Sequence, residues 1–72
     1  MTLETIGSRI KQKRIDKGWT RFQLSLAVAT HPQNVFLWEE KGRTPNAKEI
    51  PGLARELDTS PNYLLTGKEK FA

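Results

Sequence analysis

Two helix starts lie only eleven residues apart in this chain, at Thr20 and His31, and they dictate most of what it can build. Thr20-Arg21-Phe22-Gln23 has the form of a capping box, in which the Thr20 hydroxyl accepts from the Gln23 amide and the Gln23 side chain reaches back. His31-Pro32 marks the second start, because the residue before a proline is held extended and proline is favoured in the first helical position. Between them Leu24, Ala27 and Val28 recur at helical spacing. A short helix must therefore end near Ala29 and be followed by a tight break. Val35 and Trp38 supply the core face of the next helix, which runs out before Gly42.

The flanks repeat this punctuation. Residues 6–17 read as a first helix with Ile6 and Ile10 on one face, Ile15 off that face, and Gly18 as a left-handed stop. Asn46-Ala47-Lys48-Glu49 offers a further capping box ahead of the apolar face Ile50, Leu53, Ala54 and Leu57. Pro51 cannot donate to residue 47, so that helix either kinks there or begins near Ile50. Ser60-Pro61 opens a last helix with Tyr63, Leu64 and Leu65 as its bulk and Gly67 as its stop. The expected fold is all-α: a compact five-helix domain over residues 1–67 with a helix-turn-helix at about 20–39, and a frayed tail at 68–72.

At 72 residues the chain makes one small domain, and a domain of this size buries only about 60% of the surface its unfolded chain exposes. It has no cysteine to staple it, and one histidine leaves no ligand set for a structural zinc. A reducing, cytoplasmic setting and no metal are the corresponding expectations. No apolar run is long enough to span a membrane. Residues 1–43 hold eight Lys and Arg against four Asp and Glu, whereas residues 44–72 hold four of each, so the whole net charge of +4 falls in the first part. A one-sided basic field attracts polyanions, nucleic acid first among them. Catalysis finds no support: Ser8, Ser25 and Ser60 lack a base, since the one imidazole, His31, sits at a proline-locked turn. No glycine-rich phosphate loop occurs, and neither a cofactor nor a small-molecule ligand is expected.

A short capped helix, a tight break and a second short helix that opens with polar side chains is the layout of a helix-turn-helix, whose second helix enters the major groove by its N-terminal end. Gly18-Trp19-Thr20-Arg21, Leu24, Val28, Val35, Trp38-Glu39, Arg43-Thr44-Pro45, Leu53-Ala54-Arg55-Glu56-Leu57 and Ser60-Pro61-Asn62-Tyr63-Leu64-Leu65-Thr66-Gly67 carry a resemblance. Over roughly residues 5–67 the chain resembles the phage repressor and Cro family of helix-turn-helix DNA-binding domains.

The resemblance implies a regulator of phage or prophage repressor type that binds a near-palindromic, double-stranded operator as a homodimer. It places Gln33, Asn34 and Leu37 at base edges, with Pro32 at the helix tip in place of a polar contact. The chemistry agrees, since a carboxamide can pair with adenine N6 and N7 and a leucine suits a thymine methyl. Thr20 and Arg21, at the start of the preceding helix, fall at phosphate-contacting positions, and the turn Lys41, Gly42, Arg43 and Thr44 falls where relatives grip the backbone. Arg14 and Glu39 match a partly buried ion pair with the arginine near phosphate. Subunits are expected to meet through Asp58, Thr59, Ser60, Pro61, Asn62 and Leu65. An antitoxin-type autoregulator, a restriction-modification controller and a protein-interaction module are the alternative readings.

The chain departs from the family pattern in four places. Ala29 stands where glycine is usual, and a left-handed alanine is strained, so the turn is expected to relax. Ser25 replaces alanine, His31-Pro32 is unusual at the helix tip, and lysine and glycine are exchanged in the basic turn. Phe22, Leu26 and Phe36 occupy positions normally polar in relatives and form a candidate association patch, secondary to the Asp58–Leu65 region.

Overall fold

Four of the five helices among the described residues start where the N-cap side chain takes up a free backbone amide. The computed structural model describes residues 4–68, and in them five helices follow one another: α1 (Ile6–Asp16), α2 (Arg21–Ala27), α3 (Pro32–Glu40), α4 (Ile50–Glu56) and α5 (Pro61–Thr66). Thr20 closes a reciprocal capping box with Gln23, His31 Nδ1 accepts from the Gln33 amide at 3.0 Å, and Ser60 Oγ accepts from the Tyr63 amide at 3.0 Å. α1 has its own capping box, Thr5 with Ser8, which the sequence reading did not pick out because serine is not the usual reciprocal partner.

The alternatives at Pro51 resolve in favour of the later start. Asn46 Oδ1 accepts from the amides of Lys48 and Glu49, at 3.0 and 3.1 Å, and Glu49 Oε1 accepts from the Asn46 amide at 2.9 Å. These bonds close a turn, and α4 begins after it at Ile50. Pro51 thus lies in the first helical turn, where a missing N–H costs nothing.

The break between α2 and α3 does not relax as expected. Ala29 takes the left-handed conformation, φ +55°, which non-glycine residues adopt at a cost of about 1–2 kcal/mol. The Thr30 amide donates to the Ser25 carbonyl at 2.9 Å, and Asn34 Nδ2 donates to Thr30 Oγ1 at 2.9 Å, so the turn is held from both sides. In the basic turn the displaced glycine, Gly42, supplies the positive φ of +73°. Of the tail, Lys68 is exposed, and residues 69–72 lie outside the described residues.

The core is Ile10, Leu24, Val35, Trp38, Leu53, Ala54, Leu57 and Leu64, with Ile6, Trp19, Val28 and Tyr63 packed against it. α1 crosses α3 so closely that a Cβ on Gly7 would stand 1.7 Å from the Trp38 carbonyl oxygen. Only glycine fits there. Arg9, counted with the basic face in the charge reading, turns instead into the protein and is 8% exposed. Its Nε and Nη2 donate to the carbonyls of Leu64 and Leu65 at 2.9 and 3.2 Å, satisfying the open C-terminal end of α5. This ties the first helix to the last.

Candidate nucleic-acid interface

α2 and α3 pack on each other and leave the N-terminal end of α3 facing outward. Gln33 is exposed there, and Pro32, Asn34 and Leu37 are half-buried. The Gln33 carboxamide has no partner among the described residues, whereas the Asn34 amide nitrogen is engaged by Thr30. Of the residues the resemblance assigns to base edges, Pro32, Gln33 and Asn34 thus share the first turn of α3 and Leu37 lies one turn on from it, with Gln33 the most exposed. Ser25 lies buried beneath and donates from Oγ to the Phe22 carbonyl at 2.6 Å, so its extra hydroxyl is absorbed within α2.

The cations gather at the other end of α3, where Arg21 bonds Glu39 and Glu40 and Lys41 is the C-cap. Arg21, in the first turn of α2, is partly exposed, while Lys41, Arg43 and Thr44 follow α3 and are all exposed. Lys41 and Arg43 have no carboxylate partner among the described residues. The Arg43 amide returns to the Leu37 carbonyl at 3.1 Å, which folds the basic turn back against α3.

Beneath this surface runs a network of five charged groups. Arg14 Nε donates to Glu39 Oε2 at 2.7 Å, Arg14 Nη2 to Glu39 Oε1 at 3.0 Å, and Arg14 Nη1 to the Trp19 carbonyl at 2.7 Å. The Glu39 side chain is fully buried, and Arg14 is 9% exposed. The expected ion pair is thus present, and three of the five Arg14 N–H groups have protein acceptors, with one N–H on each of Nη1 and Nη2 without an acceptor among the described residues. Arg21 extends the network, Nε to Glu39 Oε1 at 2.9 Å and Nη2 to Glu40 Oε2 at 2.6 Å. Lys11 Nζ completes it with Glu40 Oε2 at 2.9 Å. The hydrogen bond to Glu39 holds the Arg21 guanidinium above its usual pKa, and Lys11, by hydrogen bond and charge, holds the Glu40 carboxyl below the ordinary carboxylate range.

Glu40 and Lys11 were not singled out in the sequence. A second carboxylate after Glu39 is a signal only when Arg21 and Lys11 are known to converge on it, and those lie 19 and 29 residues away.

The candidate association residues divide. Phe22 and Leu26 are 57% and 65% exposed, one helical turn apart on the outer face of α2. Phe36 is half-buried, with the Arg21 guanidinium 5.4 Å and the Lys41 ammonium 6.0 Å from its ring centre. It belongs with the cations and not with the apolar pair. Around the start of α5, Asp58, Pro61, Asn62 and Leu65 are exposed and Thr59 and Ser60 half-buried. Asp58 has a positive φ of +57° and takes an ion pair from Lys17 at 2.8 Å, and Asn62 Nδ2 donates to the Lys68 carbonyl. Ser60 is occupied as the cap of α5.

No protein-family model matches the chain. The HTH-type transcriptional regulator DicA of Escherichia coli strain K12 is 32% identical over 65 residues, covering 90% of this chain and 48% of that relative. The chain thus spans about half the length of the relative. The P22 c2 repressor in complex with synthetic operator 9T superimposes with a TM-score of 0.85 at 27% identity, over 92% of this chain and all of that one. SinR in complex with DNA gives a TM-score of 0.77 at 26% identity, covering 83% of this chain and 97% of that one. The restriction-modification controller C.AhdI from Aeromonas hydrophila gives 0.76 at 27%, covering 83% and 91%.

Proposed function

We propose that the chain is a helix-turn-helix DNA-binding domain of the phage repressor and Cro type and a sequence-specific transcriptional regulator that binds duplex DNA, a reading supported by its likeness to DicA and to the P22 c2 repressor. The observation that carries this reading is that α3 presents Gln33 exposed at its N-terminal end and has Arg21, Lys41 and Arg43 gathered along its C-terminal half. The N-terminal end fits the major groove, with Gln33, Asn34, Leu37 and Pro32 toward base edges. Arg21, Lys41, Arg43, Thr44 and Thr20 take the flanking phosphates and set register and affinity. Arg14 acts beneath them through Glu39.

The same reading makes the active species a homodimer on a near-palindromic operator. Its subunits meet around Asp58, Thr59, Ser60, Pro61, Asn62 and Leu65, and the copies of α3 fall about one turn of DNA apart. The complexes of the P22 c2 repressor with operator and of SinR with DNA support this assignment by likeness. Repression is steric, by occupancy of DNA, and the chain works inside the cell. No helix of the described residues is long and apolar enough to cross a membrane. The reading gives the chain no catalytic step.

Binding selection from a random duplex library tests the proposal. An enriched motif with two-fold symmetry is the expected result. No enrichment would overturn sequence-specific binding, and an asymmetric motif would overturn the dimer.

A further inference from the structure

Arg21 is held from three directions, an arrangement that two hydrogen bonds to carboxylates do not by themselves explain. Its Nε is fixed by Glu39 and its Nη2 by Glu40, its carbon centre lies 5.4 Å from the middle of the Phe36 ring, and Nη1 has no partner among the described residues. The Lys41 ammonium lies 6.0 Å from the centre of the same ring. The α2 cation and the turn cation, which reach the C-terminal half of α3 from different elements, therefore share one aromatic neighbour.

Phe36 is not needed for the core. Val35 and Trp38 fill the buried face of α3, and Phe36 stands off that face, half-buried. An aromatic ring attracts cations through its negative face, most strongly where the cation has lost part of its water. Carboxylates alone would draw Arg21 toward Glu39 and Glu40 and offer nothing to Lys41. The ring gives both cations a common resting place that carries no negative charge and so does not repel an approaching phosphate.

We infer that Phe36 is a positioning residue for DNA binding, which with Glu39 and Glu40 pre-orders Arg21 and Lys41 as a paired phosphate clamp beside the C-terminal half of α3. The inference rests on the DNA-binding reading above and adds to it a role for a side chain that touches neither base nor phosphate. Pre-ordering matters because long cationic side chains lose rotamer freedom when they bind, and a clamp already set loses less.

The test compares wild type, Phe36→Leu and Phe36→Trp on a mixed-sequence duplex by fluorescence anisotropy across a salt series. Leucine keeps the apolar bulk and removes the π-face; tryptophan offers a stronger one. Phe36→Leu is expected to bind on the order of ten-fold more weakly at low salt. Its log-log salt slope should be shallower by about one to two per subunit, with Phe36→Trp restoring both. Equal affinity and slope for wild type and Phe36→Leu would overturn the inference, as would failure of tryptophan to rescue, since shape alone would then explain the site. If wild type itself shows no salt-dependent binding, the DNA-binding reading falls first and this one with it. A measurement on unmodified protein guards against a misfolded variant: the Arg21 Hδ and Lys41 Hε protons should be shifted upfield by the ring. Unshifted resonances would overturn the clamp whatever the variants do.

Discussion

The Arg14 guanidinium grips both carboxylate oxygens of Glu39, at 2.7 and 3.0 Å, joining α1 to α3 directly beneath the exposed surface of the helix-turn-helix. Both side chains are nearly removed from water, so each depends on the other to offset its desolvation. Glu39→Ala, which strands the arginine, is expected to cost about 3–5 kcal/mol in urea unfolding. The double change to methionine at both positions should recover most of that loss. A cost below about 1 kcal/mol for Glu39→Ala would show that water reaches the pair.

Two helical glycines make opposite predictions. A Cβ at position 7 meets the Trp38 carbonyl at 1.7 Å, a backbone atom that cannot swing aside, whereas one at position 52 meets nothing within 4 Å. Gly7→Ala should destabilise by about 1–3 kcal/mol or fail to fold, because α1 and α3 must part. Gly52→Ala should stabilise by up to about 1 kcal/mol through the better helical residue. Parallel melts of the two variants decide it, and a tolerated alanine at 7 would mean that the helices cross further apart.

Lys11 and Arg21 together hold the Glu40 carboxyl below its usual range, Lys11 contributing most. A carboxylate whose folded pKa lies below its unfolded one stabilises the protein above the unfolded value, and that contribution is lost as pH falls through the folded one. Stability should therefore decline from the ordinary carboxylate range downward, and Glu40→Gln should remove part of that decline while lying below wild type at pH 7. Melting temperatures of both proteins from pH 7 to pH 3 test this, and parallel curves would remove Glu40 from the account. High salt should narrow the gap, since the pair is partly exposed.

Base reading and backbone gripping separate by their response to salt. Gln33→Ala should lose preference at one base position of the selected operator, about 1–3 kcal/mol, and leave the salt slope unchanged. Arg43→Ala should weaken all sequences alike and lower the slope by about one per subunit. Uniform weakening by Gln33→Ala would move that residue to the backbone set.

The helix starts were legible because capping is local: Thr20, His31 and Ser60 each bond an amide two or three residues on, and no distant group alters that chemistry. The Ala29 turn was misjudged for the converse reason. Alanine disfavours φ +55°, but the bonds of Thr30 to Ser25 and of Asn34 to Thr30 close around it, and the packing of two helices outweighs one residue's preference. The proline start fixed where α3 begins, and so put Gln33 and Asn34, which the resemblance assigns to base edges, in its first turn with Gln33 exposed. Arg9 was misread and Phe36 misgrouped. Nothing near Arg9 in the sequence tells of acceptors more than fifty residues away, and Phe36 read as one more apolar side chain until two cations from other elements proved to share its ring.

The bond from Arg9 to the carbonyls of Leu64 and Leu65 also decides how this domain comes apart. α5 has six residues, too few to persist as a helix in water, and its lifting would leave a guanidinium facing an emptied apolar seat. Partial opening at that end is therefore penalised twice, once in lost packing and once in two guanidinium N–H groups that lose their carbonyl acceptors, with only the Glu4 carboxylate, 3.4 Å from Nη1, left to Arg9. Melting cannot begin quietly at α5: the last helix and the first let go together, in one cooperative unit, and amide exchange in α5 should keep pace with that in α1.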